Sequence, residues 1–195
     1  MSPNPTQTAP ALAAPPLTLA AFLALPQSET ALELINGQAI RKISPKRFHS
    51  RLTVAVYHLL SDHLGDQGEV AIEWAVSLQR QGQPWVPVPD LLYISAERLA
   101  PDWMEDTACP IAPELVIEII SPGQSFSQIA EKAGDYLTAG VDRVWIVESG
   151  AESITMLRQD NRWEVFRGDR AISDDLFPDL QLTVRQIFRR AGFGD

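Results

Sequence analysis

The stretch that most constrains this chain is Pro113 to Gly123, PELVIEIISPG: after Pro-Glu it is branched aliphatics closed by Ser-Pro-Gly, and Glu118 puts a carboxylate in the middle of them. A short apolar run bounded by Pro and Gly reads as a strand buried on both faces of a sheet. Alternation puts Leu115, Ile117 and Ile119 on one face and Val116, Glu118 and Ile120 on the other. An unpaired carboxylate among aliphatics either costs several kcal/mol or gives up its charge. Glu118 is therefore expected to be paired, bound to a cation, or placed at the open end of the sheet.

The rest of the chain supplies partners for such a strand. Thr18 is placed to cap a short helix through LAAFLAL to Pro26. ALELINGQAIRKI then gives two strand-like runs joined by Asn36-Gly37, a strong signal for a two-residue hairpin turn, with Glu33 on the first strand. Ser44-Pro45 is expected to open a long helix ending near Gly65, its stripe formed by Phe48, Leu52, Ala55, Val56, Leu59 and Leu60. EVAIEWAVSLQR from Glu69 and VPVPDLLYIS read as strands, with Asp90 opening the apolar part of the second.

Residues 125 to 139 have the period of a second long helix. Ile129, Ala133, Tyr136 and Leu137 form its apolar face, Lys132 its flank, and Glu131 points away. DRVWIVES is a further strand, SITMLRQ and RWEVFRG form a terminal hairpin, and a short helix from about Arg185 closes the chain. The expected class is α/β, a mixed sheet flanked by helices with an N-terminal helix and hairpin.

A length of 195 residues with 45% apolar content suits one domain, assigned to residues 17 to 195 behind a disordered Pro/Ala-rich tail at 1 to 16. The formal charge of -9 argues against a generally basic nucleic-acid coat, though not against a local patch. Cys109 is the lone cysteine, which excludes an intrachain disulfide and a cysteine-based zinc site. Prolines interrupt the N-terminal apolar segment and no Lys or Arg precedes Arg41, so neither a signal peptide nor a membrane span is expected; the cytoplasm is the default compartment.

Asp90 and Glu118 fall on adjacent expected strands, and the helix after the second carries Lys132 toward the sheet. Two hard oxygen ligands suit Mg²⁺ or Mn²⁺, and a nearby ammonium can orient or deprotonate water and balance charge on a phosphate. Phosphodiester hydrolysis is the reaction such parts serve. Each residue also has a plainer reading: Asp90 as a turn acid, Lys132 as a snorkelling helix lysine, Glu33 as a solvated hairpin residue. His49 is expected to be a surface or packed histidine, with a phosphate contact from the helix start as the lesser reading, and the five tryptophans are expected to be packing, with base stacking by Trp85 or Trp103 as the lesser reading.

Pro89-Asp90, then Glu118 in its apolar strand, then a lysine resembles the PD-(D/E)XK nuclease superfamily. LTLAAFLALP, ELINGQ, SPKRFHSRL, VPDLLYIS, PELVIEIISPG and EKAGDYLTAGVDRVWIV, in that order, resemble more closely the Uma-type restriction-endonuclease-like family. The resemblance implies a restriction-endonuclease-like core, DNA as substrate, and Mg²⁺ or Mn²⁺ held by Asp90, Glu118 and the backbone carbonyl of Ile119. It also implies that Glu33 reaches the metal through water. The superfamily places its lysine two residues after the acid, where this chain has Ile120; the family match is Lys132 on the next helix.

The chain departs from the family at Asn36 and Gln38, where acids are commoner, and at Ser125, Phe126, Ser127 and Gln128, which replace a basic run and an acid. The expected function is a metal-dependent DNA endonuclease, with a homodimer as the simplest way to cut two strands. The alternatives are a catalytically silent binding or scaffold protein and a nuclease acting on RNA or single strands.

Overall fold

The computed structural model describes residues 15–26, 30–160 and 162–194. All but the last two residues of the expected tail lie outside them. Helix α1 (Leu19–Leu23) is capped as expected, Thr18 Oγ1 accepting from Ala21 N at 3.1 Å. The hairpin of β1 (Leu32–Ile35) and β2 (Gln38–Arg41) turns at Asn36 and Gly37, both at positive φ (51° and 73°), as a type I′ turn requires.

Helix α2 (Arg47–Leu64) begins two residues later than Ser44-Pro45 suggested, with Lys46 as its N-cap and no side-chain capping bond. The hairpin still governs the chain here: Lys42 N donates to Ala31 O, and the N-cap Lys46 is itself extended, with no regular structure between it and β2. Leu52, Ala55, Val56 and Leu60 are buried as expected, whereas Phe48 is exposed.

The run from Glu69 is not one strand. It gives β3 (Gly68–Ile72), breaks at Glu73 with φ 52°, and resumes as β4 (Leu78–Arg80), which forms a small hairpin with β5 (Gln83–Trp85). Glu73 N donates to Asp90 O, so the break is tied to the chain entering the next strand. That strand is β6 (Leu91–Ser95); it is followed by β7 (Leu115–Ile119), α3 (Phe126–Thr138), β8 (Arg143–Glu148), β9 (Ser153–Arg158), β10 (Trp163–Arg167) and α4 (Val184–Arg190).

The main sheet has the order β10-β9-β8-β7-β6-β3. Only β7 and β8 are parallel, and α3 makes the crossover between them. Both faces are covered, so every residue of β7 is buried. Leu115, Ile117 and Ile119 join α2 and α4 in one core, while Val116 joins Ile129, Ala133 and Tyr136 of α3 in the other. Glu118 shares the α3 face, as alternation predicts. Trp85, Trp145 and Tyr136 are fully buried, but Trp163 is 67% exposed, against the expectation that every tryptophan packs.

Candidate active site

The register of β6 against β7 pairs Leu91 with Ile117 in antiparallel sense, and one further step sets Asp90 beside Glu118. Both acids are buried at the same end of the sheet. They line a cavity of about 310 Å³ with Glu33, Ile119, Lys42, His49 and Lys132. The four side chains Glu33, Asp90, Glu118 and Lys132 are thus brought together from β1, the start of β6, β7 and α3, and Ile119 borders the same space.

Helix α3 starts where it must for Lys132 to arrive. Ser125 and Gln128 form a capping box, with Ser125 N donating to Gln128 Oε1 at 2.9 Å. Two of the residues by which the chain departs from the family it resembles thus start this helix. Seven residues beyond Ser125, Lys132 Nζ reaches Glu33 Oε1 at 2.8 Å and Glu118 Oε1 at 2.9 Å. Burial opposes the ammonium, but Glu118 and Glu33 override it and raise the pKa of Lys132. Lys132 therefore carries its proton at neutral pH.

Glu118 is held by two donors: Tyr136 Oη–H donates to its Oε1 at 2.9 Å, and Lys132 contacts the same oxygen. Burial raises the pKa of Glu118, opposed by Lys132 and reinforced by Asp90 and Glu33. Glu33 has a second task. Its Oε1 also accepts from Val88 N at 2.9 Å, fastening the hairpin to the segment between β5 and β6.

Asp90 is more tightly held still. Its Oδ2 accepts from Ile119 N at 2.7 Å and from His49 Nε2 at 2.9 Å, and its Oδ1 accepts from Lys42 Nζ at 2.7 Å. An ionised carboxylate only accepts, so the His49 proton sits on Nε2. Burial pushes the Asp90 pKa up, but the His49 bond and the Lys42 charge outweigh it and lower it to about 2. Lys42 is also 3.2 Å from Glu73 Oε1.

Sequence reasoning missed Lys42, Glu73 and the hydroxyl of Tyr136, and it took His49 for a bystander. His49 is packed, as expected, but against Asp90. The available signals were the scarcity of lysine, with three in the chain, and the position of Lys42 at the end of a hairpin strand that also carries Glu33. Tyr136 was legible only as a member of an apolar face, because a helical stripe does not tell what a phenol hydroxyl will meet.

In kind, the donors suit Mg²⁺ or Mn²⁺: two carboxylates beside a backbone segment, with neither cysteine nor a histidine cluster. Among the described residues no three His, Cys, Asp or Glu side chains form a ready ligand group, so an ion held here would keep much of its water. Three cations, Arg41, Lys42 and Lys132, stand in the lining against the three carboxylates.

A mixed six-stranded sheet flanked by helices, with Asp90 at the entry to β6, Glu118 on β7 and Lys132 on the crossover helix, shares its fold with a solved structure. A solved structure from Anabaena variabilis, described as "a putative nuclease belonging to DUF820", superposes with a TM-score of 0.78 at 24% identity, covering 90% of this chain and 99% of the other. Residues 19–185 match the family described as "Uma2: Putative restriction endonuclease", and the chain belongs to that family. No curated protein matches significantly. Among the described residues no helix is long and apolar enough to cross a membrane.

Proposed function

We propose that the chain is a metal-dependent endonuclease that hydrolyses phosphodiester bonds of DNA, with Asp90 and Glu118 as metal ligands and Lys132 assisting the attack of water. The observation that carries this reading is the convergence of Asp90, Glu118 and Lys132, from three separate elements, on one cavity. Asp90, Glu118 and the carbonyl of Ile119 would hold Mg²⁺ or Mn²⁺. The ion would supply Lewis acidity, withdrawing charge from the scissile phosphate and favouring hydroxide over water.

The chain's own residues do the rest. Lys132 stays protonated between Glu33 and Glu118, so it acts as a donor to the water oxygen and a counter-charge to the pentavalent phosphate, not as a base. Glu33 holds the Lys132 ammonium in place through its 2.8 Å contact. Tyr136 fixes the rotamer of Glu118, and His49 with Ile119 N fixes that of Asp90. A homodimer would bring two such sites to two strands.

The rival reading is a silent nuclease fold that binds without cutting. It is favoured by the Lys42 ammonium on Asp90, which already neutralises one of the two ligands. Cleavage of plasmid and linear DNA by the purified chain separates the two. The endonuclease requires Mg²⁺ or Mn²⁺, stops with chelator, and falls by about two orders of magnitude or more in Asp90→Ala, Glu118→Ala and Lys132→Ala, with double variants little worse than singles. Cleavage that survives in the triple variant is contamination, and the silent reading then stands. RNA and single-stranded DNA as parallel substrates decide the nucleic acid.

A further inference from the structure

In a chain with 25 acids against 16 lysines and arginines, every cation has a surplus of possible partners. Most take one. Arg80, Arg98, Arg143 and Arg158, for example, all sit within ion-pair distance of a carboxylate. Arg41, Lys46, Arg47, Arg51 and Arg190 do not: none forms a side-chain hydrogen bond or ion pair with a described residue. Arg167, on β10, is the other such cation.

No Asp or Glu occurs between Glu33 and Asp62, and four of the five fall within residues 41 to 51 of that acid-free stretch. Arg41 borders the acidic cavity. Lys46 caps α2, and Arg47 and Arg51 stand one turn apart on its first two turns, on the face of the helix turned away from the buried His49. Arg190, at the end of α4, lines a shallow hollow with Ser50 and Arg51. All but the half-buried Arg51 are exposed.

The placement runs against stability. The N-terminus of an 18-residue helix is its positive end, where acids stabilise and cations repel, yet α2 has no acid in its first turn and no side-chain cap. Its free amides add to the same field. A fold that leaves these cations unpaired, and sets Lys46, Arg47 and Arg51 at the helix end where cations are least welcome, is suited to an external polyanion.

We propose that Arg41, Lys46, Arg47, Arg51 and Arg190 form a basic track, running from the cavity rim at Arg41 over the start of α2 to the end of α4, that grips the phosphate backbone of a DNA duplex. The proposal rests on the endonuclease reading for what happens after binding. It also places the phosphate grip at α2, away from the start of α3, where Ser125 and Gln128 are committed to capping.

Fluorescence anisotropy of a labelled duplex with the full chain in EDTA tests binding apart from cleavage. Wild-type affinity should fall steeply with NaCl. Lys46→Ala with Arg47→Ala, both exposed, should weaken binding about tenfold at low salt and flatten the slope of log K against log salt by about 2. Arg51→Ala with Arg190→Ala should act alike. Arg162→Ala with Arg167→Ala changes the formal charge equally at β10 and should leave affinity within about twofold.

Equal losses in the β10 control, or wild-type affinity in both patch variants, would overturn the track. So would absence of wild-type binding, or tighter binding of single strands or RNA than of duplex. Patch-dependent binding without Mn²⁺-dependent cleavage supports the track and removes the endonuclease reading. Mn²⁺-dependent cleavage with binding indifferent to the patch does the reverse.

Discussion

Lys42 Nζ lies 2.7 Å from Asp90 Oδ1 and 3.2 Å from Glu73 Oε1, so one ammonium is shared between a buried candidate metal ligand and a half-exposed acid. The charge that a divalent ion would bring to Asp90 is already there in part. Lys42→Met should therefore do two things. It should lower the stability of the metal-free protein by about 2 kcal/mol, because Asp90 loses a partner, and tighten Mn²⁺ binding by about tenfold or more, because a competing charge is gone. Denaturant unfolding and calorimetric titration with Mn²⁺ measure the two effects; unchanged Mn²⁺ affinity would mean that Lys42 and the ion do not share Asp90.

Acid should reveal the grip on Asp90. Its pKa falls from 3.8 to about 2 on folding, so the native state releases this proton more readily than the unfolded chain. The stabilisation is present above the unfolded value, erodes as pH falls through 4, and is gone below the folded value. It amounts to about 2 kcal/mol. Glu118, raised by burial, works in the opposite sense, so the comparison must isolate Asp90. The gap in unfolding free energy between wild type and Asp90→Asn should shrink by about 2 kcal/mol between neutral pH and pH ~2; a constant gap would show that the carboxylate is not held as described.

The two partners in the Lys132–Glu118 pair should respond unequally. Glu118→Gln keeps an oxygen for Tyr136 and Lys132, and Lys132 keeps Glu33, so stability should stay within about 1 kcal/mol of wild type or rise. Lys132→Met leaves both acids without their cation and should cost about 2 to 3 kcal/mol, somewhat under the range for a fully buried pair because Lys132 is partly exposed. Equal losses in thermal unfolding would mark Glu118 as half of a structural pair.

A test of the sheet edge is independent of the site. Gly68 opens β3 opposite Ser95, and a Cβ there would stand 2.3 Å from Ile94 O and 2.7 Å from Ser95 Cα, both rigid backbone atoms. Gly68→Ala should destabilise by about 1 to 3 kcal/mol, with β3 shifted from β6. Wild-type stability in that variant would mean a looser edge than the register implies.

What the amino-acid order determines by itself is whatever a local rule governs. Apolar alternation in LVIEI placed Glu118 on the face opposite Ile117, Asn36-Gly37 set a hairpin, and the helical period of residues 125 to 139 turned Lys132 toward the sheet and Glu131 away. Each depends on neighbours a few positions apart, where backbone geometry leaves few choices. The order in which the family's fragments occur carried the fold as a whole. The break at Glu73, the delayed start of α2 and the exposure of Trp163 and Phe48 obey no such rule; they follow from where Asp90, the hairpin and the sheet edge come to lie.

The site divides in the same way. Asp90, Glu118, Lys132 and Glu33 were legible because a charge in an apolar run, or on the flank of an apolar stripe, is costly and stands out. Lys42 and His49 did not stand out, since each sits in a polar stretch where its residue type is ordinary, and Glu73, although it lies in the apolar run AIEWAV, passes for the outward-facing acid of an alternating strand. Only the tertiary structure decided that they face Asp90, because an ion pair across 48 residues of chain depends on how the hairpin and α2 pack over β6, and no spacing in the sequence encodes that distance.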